Sequence, residues 1–123
     1  MPASSNAAKP HSRAHRRPVS QARRASALVD LPAAGCDYPV PEMPAGRDWT
    51  DIERARWVEL WESPQATQWD DTARGTVAVL VAYESLIFSG GASAWHAQEA
   101  RYAAEALGLT PKSQAALGWR IVE

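Results

Sequence analysis

Three kinds of side chain in this sequence have the means to do chemistry: imidazoles, carboxylates and a dense set of cations. His96 lies in a helical pattern, but a zinc-binding helix needs a second ligand one turn on, and Ala100 stands there. Asp70 and Asp71 are neighbouring carboxylates, the residue type of acid–base catalysis. They also stand where a helix begins, and capping it requires nothing further of them. Cys36 sits among Pro and Gly with no basic neighbour to lower its pKa, which argues against a nucleophile. No glycine-rich phosphate loop of the G-x-x-x-x-G-K-[ST] or G-x-G-x-x-G kind occurs, and no Ser/His/Asp arrangement is recognisable. The expectation is a protein that is not an enzyme and uses no cofactor or metal. The cations are different. Lys9, Arg13, Arg16, Arg17, Arg23 and Arg24, with His11 and His15 among them, form a polycation that binds phosphate backbones by releasing counterions and reads little sequence. A solubilising tail, or a site for other acidic partners, is the plainer alternative.

The chain has 123 residues and a net charge of −1, but its charge is unevenly placed. Residues 1–35 carry six cations against Asp30 alone, and residues 36–123 carry seven cations against thirteen acids. A basic arm on an acidic body is the arrangement to explain. Residues 1–46 are rich in Pro, Ser, Ala and Arg and lack the apolar surface to offset the entropy of ordering. They read as a flexible basic arm, with a short helix near Gln21–Val29. The stretch Leu31–Gly46 then runs extended over the body as a Pro-rich strap. A single cysteine excludes an internal disulfide framework. The longest apolar run, Val77–Tyr83, is far short of the roughly 18–20 residues that span a bilayer.

The body, residues 47–118, reads as helical. Thr50 and Glu53 form a T-x-x-E capping box, and Trp57 and Trp61 share a face one turn apart. Ser63-Pro64 ends that helix. A second helix, about Asp71–Phe88, is apolar nearly all round and so must be covered on every side. In so small a chain one neighbouring helix cannot do this. Val77, Val81, Leu86 and Phe88, with Tyr102 from the next helix, are therefore expected at an interface between subunits. Six tryptophans suggest base stacking, but Trp57 and Trp61 fall on an apolar face and read as core. Trp49 reads as a staple before the first helix. Ser93 caps a helix over Ala94–Leu107 with a small-residue Ala side, and Trp119–Glu123 alternates as an extended tail.

Between these last two lies Leu107-Gly108-Leu109-Thr110-Pro111-Lys112-Ser113-Gln114-Ala115-Ala116-Leu117. Gly108 is a helix stop, Thr110 an N-cap and Pro111 a first helical residue, so the stretch is a joint between helices. Its wording, with the Trp49–Asp71 stretch and the apolar helix after it, resembles the small terminase subunits of tailed bacteriophages, in the branch found in HK97-like and actinobacterial phages. The resemblance covers about Arg47–Ile121. The arginine usual two residues after the serine of this joint is absent, since Ala115 stands there.

What the resemblance implies is a mostly helical subunit of viral genome packaging. Such subunits bind double-stranded phage DNA, recruit and regulate a large terminase subunit that holds the ATPase and nuclease, and form rings of roughly eight to eleven subunits. They work in the host cytoplasm during assembly and are absent from the mature virion. On this reading the fold is all-α, with about four helices, a disordered basic arm and ring assembly. DNA contact falls to Lys9, Arg13, Arg16, Arg17, Arg23 and Arg24, and large-subunit contact to Trp119 and Ile121. No membrane partner is expected. The alternative from another class is a helix-turn-helix transcription regulator or antitoxin-like dimer, built on the first two helices; a virion structural protein is a third.

Overall fold

A computed structural model describes residues 28–123. In chain order its elements are strand β1 (Val29–Pro32), helix α1 (Asp51–Trp61), a 3-10 turn (Pro64–Gln68), helices α2 (Ala73–Phe88), α3 (Ala94–Ala106) and α4 (Pro111–Leu117), and strand β2 (Trp119–Val122).

The helix boundaries follow from local chemistry. At α1 the Thr50 side chain accepts from the Glu53 N–H at 3.1 Å, and the Glu53 carboxylate accepts from the Thr50 N–H at 2.9 Å. This reciprocal box satisfies two of the donors that a helix start leaves without an internal partner. Pro64 then opens the 3-10 turn, where its missing N–H costs nothing. The start of α2 is later than Asp71. Asp70 accepts from the Thr72 N–H at 2.9 Å and from the Thr72 hydroxyl, and the two turn residues between precede the first helical residue, Ala73. Ser93 and His96 cap α3, with the His96 ring nitrogen Nδ1 taking the Ser93 N–H at 3.0 Å. This histidine is a capping residue.

The core is built on aromatic rings and a seam of small side chains. Trp57, Trp61 and Trp69 cluster, with Trp61 edge-on to Trp69 at 5.1 Å and tilted against Trp57 at 5.7 Å. Val77, Leu80 and Val81 of α2 complete this cluster, and Ala100 and Ala103 bring α3 close against α2. The strap lies on the same core. Pro41 accepts from the Trp57 indole N–H at 2.8 Å and Pro44 from that of Trp49 at 3.0 Å, while Tyr38, Val40 and Met43 pack beside them. Gly35 makes this path possible. Its φ is +96°, and a Cβ there would stand 2.2 Å from the Glu62 carbonyl oxygen, so only glycine passes.

The all-α expectation needs one correction. The described residues are mostly helical, with four α-helices among them, but β1 and β2 form a two-stranded parallel sheet with Val29 beside Trp119 and Pro32 beside Val122. The C-terminal stretch is thus a strand paired with the beginning of the strap. Leu31, at the centre of β1, is completely buried. The alternation in Trp119–Glu123 showed an extended segment, but its partner stands 90 residues earlier, beyond any local signal.

Candidate functional site

The six arm cations, Lys9, Arg13, Arg16, Arg17, Arg23 and Arg24, lie outside the described residues, as does most of the short helix expected at Gln21–Val29. What the structure describes is where the arm is rooted. Leu28 leads into β1, the Val29 N–H donates to the Gly118 carbonyl at 2.7 Å, and the Ala33 N–H donates to that of Val122 at 2.7 Å. Across the exposed face of the pair, the Arg120 guanidinium donates two hydrogen bonds to one Asp30 oxygen, at 2.8 and 3.0 Å.

This root rests on the joint between α3 and α4. The Leu109 N–H donates to the Ala104 carbonyl at 3.0 Å and the Gly108 N–H to that of Glu105 at 3.1 Å, with Gly108 at φ +73°. These paired bonds around a left-handed glycine are a Schellman motif, and they satisfy carbonyls that the helix end would orphan. The Leu107 carbonyl is taken by the Trp69 indole N–H at 2.9 Å. Trp119 covers the glycine so closely that a Cβ on Gly108 would stand 2.0 Å from its ring. Trp119, expected as a contact for another protein, is therefore partly buried as the lid of the joint. Ile121, on the same strand, keeps 42% of its surface exposed.

The residues expected at a subunit interface divide. Val77 and Val81 are 0% and 1% exposed within a single chain, so they are core and have no surface to offer a second copy. The expectation assumed one helix-sized neighbour, whereas α2 is covered by α1, α3 and the aromatic cluster together. Leu86 is partly buried, and Phe88 and Tyr102 are exposed. Phe88, 85% exposed, faces Ile52, 80% exposed, across a recess of about 340 Å³ between α1 and α2. Ile52 carries no signal of its own in the sequence, because it sits in the first turn of α1, ahead of the apolar face that the tryptophans mark. Arg56 closes the floor of this recess with a two-pronged grip on Glu84, at 2.8 and 3.1 Å, which pushes its already high pKa further up.

One buried charge supports the same end of the helix pair. Glu53 is nearly inaccessible, yet it accepts from Arg47 at 3.0 and 3.2 Å besides the Thr50 N–H. Burial alone would raise its pKa. The hydrogen bonds from Thr50 and Ser85 and the charge of Arg47 outweigh that and hold the carboxyl below its ordinary range. Arg47 in turn lies over the Trp49 ring at 4.2 Å. The Cys36 thiol is pushed up by burial, with Asp37 adding to the effect, the opposite of nucleophile activation. Among the described residues no group of three or more His, Cys, Asp or Glu is placed to hold a metal ion, and no helix is long and apolar enough to cross a membrane. The buried Trp57 and Trp61 turn α1 inward, so α1 and α2 do not present that face to a DNA groove.

A family model described as phage terminase small subunit matches residues 6–122. Comparison with curated proteins and with solved structures returns no match.

Proposed function

Because the chain belongs to the phage terminase small subunit family, we propose that it holds double-stranded phage DNA by its basic arm while its body assembles into a ring and recruits the large terminase subunit. The observation that carries the reading is the family match across arm and body together, joined to the charge split. Residues 1–27 contain six cations and no acid, whereas residues 28–123 contain fourteen acids and seven cations. Phosphate contact falls to the arm on electrostatic grounds. Ile52 and Phe88 on α1 and α2, and Trp95 and Tyr102 on α3, are unlike exposed apolar patches. Unlike patches that dock on one another make head-to-tail contacts, which close into rings when the rotation permits. Ile121, exposed on β2, is the segment's best remaining candidate for the large subunit. The ATPase and nuclease belong, on this reading, to that larger partner, and the protein acts in the host cytoplasm and leaves before the virion matures.

The test compares the full chain with one beginning at Leu28, which keeps β1. Affinity for double-stranded DNA is measured across several salt concentrations. The shortened chain is expected to lose most of its affinity, and its salt slope to become shallower by roughly 5, for six cations at about 0.9 each. Equal affinities and slopes would remove the arm from the DNA contact.

A further inference from the structure

The recess between α1 and α2 is walled by Val81, Ser85 and Phe88 on one side and by Ile52 and Arg56 on the other. Phe88 and Ile52 stand exposed at its mouth, so it is open to a visitor. Its lining is mostly apolar, with the Ser85 hydroxyl and the partly exposed Glu84 carboxylate as acceptors. Each Glu84 oxygen takes one hydrogen bond from Arg56 and keeps a further lone pair. An apolar pocket with few acceptors suits a large flat side chain with a single donor, which is an indole.

The same chain carries such an indole on the far side of α2. Trp95, in the first turn of α3, is 55% exposed. Its indole N–H has no acceptor among the described residues, whereas those of Trp49, Trp57 and Trp69 are taken by the Pro44, Pro41 and Leu107 carbonyls. Its ring stands edge-on to Tyr83 at 5.9 Å. Val81, Glu84, Ser85 and Phe88 recur at helical spacing and share one face of α2, and Tyr83 projects from the opposite face. Recess and indole therefore lie on opposite flanks of α2, at one level along it. A rotation about an axis parallel to α2 mates two such patches without climbing and closes a ring, whereas patches at different levels would build a filament. Tyr102 fits less well. It stands about two turns further along α3, and its hydroxyl already accepts from Gln98 at 2.7 Å.

We propose that the recess receives the Trp95 indole of a second copy of the chain, so that each copy offers a socket on one flank of α2 and a plug on the other. This docking rests on the reading that the body assembles, and it names the contact. Phe88→Asp spoils the socket and Trp95→Asp the plug. Both side chains are exposed, and an acid in the first turn of α3 suits the helix dipole, so both variants are expected to keep the wild-type helical circular dichroism. In light scattering after gel filtration, wild type is expected to assemble and each variant alone to run at the single-chain mass. An equimolar mixture is expected to reach twice that mass and no more, because F88D still carries a plug and W95D a socket, and their one contact leaves only spoiled ends. A wild-type chain that is monomeric at every concentration would remove the assembly itself and the docking with it. If wild type assembles, two variants that keep its mass would overturn the docking and leave assembly standing. Loss of mass in F88D but not in W95D, or a mixture that stays at the single-chain mass at every concentration, would overturn Trp95 as the occupant. F88D assemblies of wild-type mass that no longer bind the large subunit would give the recess to that partner and overturn the docking.

Discussion

Gly108 and Trp119 show how one residue can hold a joint and a sheet together. The glycine provides a φ of +73° and leaves room for an indole that would otherwise meet a Cβ at 2.0 Å. Gly108→Ala combines backbone strain with overpacking and is expected to cost on the order of 2–4 kcal/mol in urea unfolding. In the G108A/W119A double variant the overpacking is gone, so the two losses should sum to more than the measured loss. Glu53 is the second residue of consequence. Its carboxyl titrates below the 4.5 of an ordinary glutamate, so the unfolded chain takes up its proton first as the pH falls. The stability this group contributes is complete above about 4.5 and is lost as the pH drops through its lower folded value. Glu53→Gln keeps the capping geometry and loses the charge. Its urea midpoint is expected to lie below wild type at neutral pH and to converge on it in acid. The capping box was legible from Thr50-x-x-Glu53. The grip of Arg47 on Glu53 was not, because it depends on how the strap arrives.

At the scale of elements, the helices are local and the sheet is not. The ends of α1, α3 and α4 are marked by Thr50, Ser93 and Thr110, each of which caps its helix with its own side chain. α2 starts later than the Asp70-Asp71 pair suggests, because Asp70 accepts from Thr72 and does not cap the helix itself. The pairing of β1 with β2 had no such marker, since a strand of four residues between prolines and glycines looks like any extended stretch. Leu31 gives the pairing its energetic weight. Leu31→Ala should cost about 2–5 kcal/mol by removing a wholly buried side chain. A chain beginning at Cys36 should fall further, because β2 loses its partner, whereas one beginning at Leu28 keeps both strands and should unfold well above it. Differential scanning calorimetry of the three would separate them.

For the whole molecule, the proposed assembly turns on what the single chain leaves uncovered. Val77 and Val81 are spent on the chain's own core, and the most exposed large apolar side chains of the helices are Ile52, Phe88, Trp95 and Tyr102. Phe88→Asp is expected to lower the mass seen by light scattering after gel filtration while the helical circular dichroism stays at the wild-type level. Val81→Asp should abolish the helical signal itself, because it places a charge in the aromatic core. An unchanged mass in F88D would take that end of the helix pair out of the interface. The sequence by itself determined the charge split, the order of the helices and the caps of α1, α3 and α4, the stop at Gly108 and the likeness to the small terminase subunits. All of these are carried by residue type and short spacing, and the family match extends across the same residues. Tertiary structure alone decided which face of α2 is covered, that the C-terminal segment is a strand, and that Leu28, at the head of β1, lies beside Gly118. Each of these depends on contacts between residues far apart in the chain, where burial and backbone pairing are settled by the packed whole. The joint at Leu107–Leu117 is where the two meet: its turn is written locally, and its lid arrives from the paired strands.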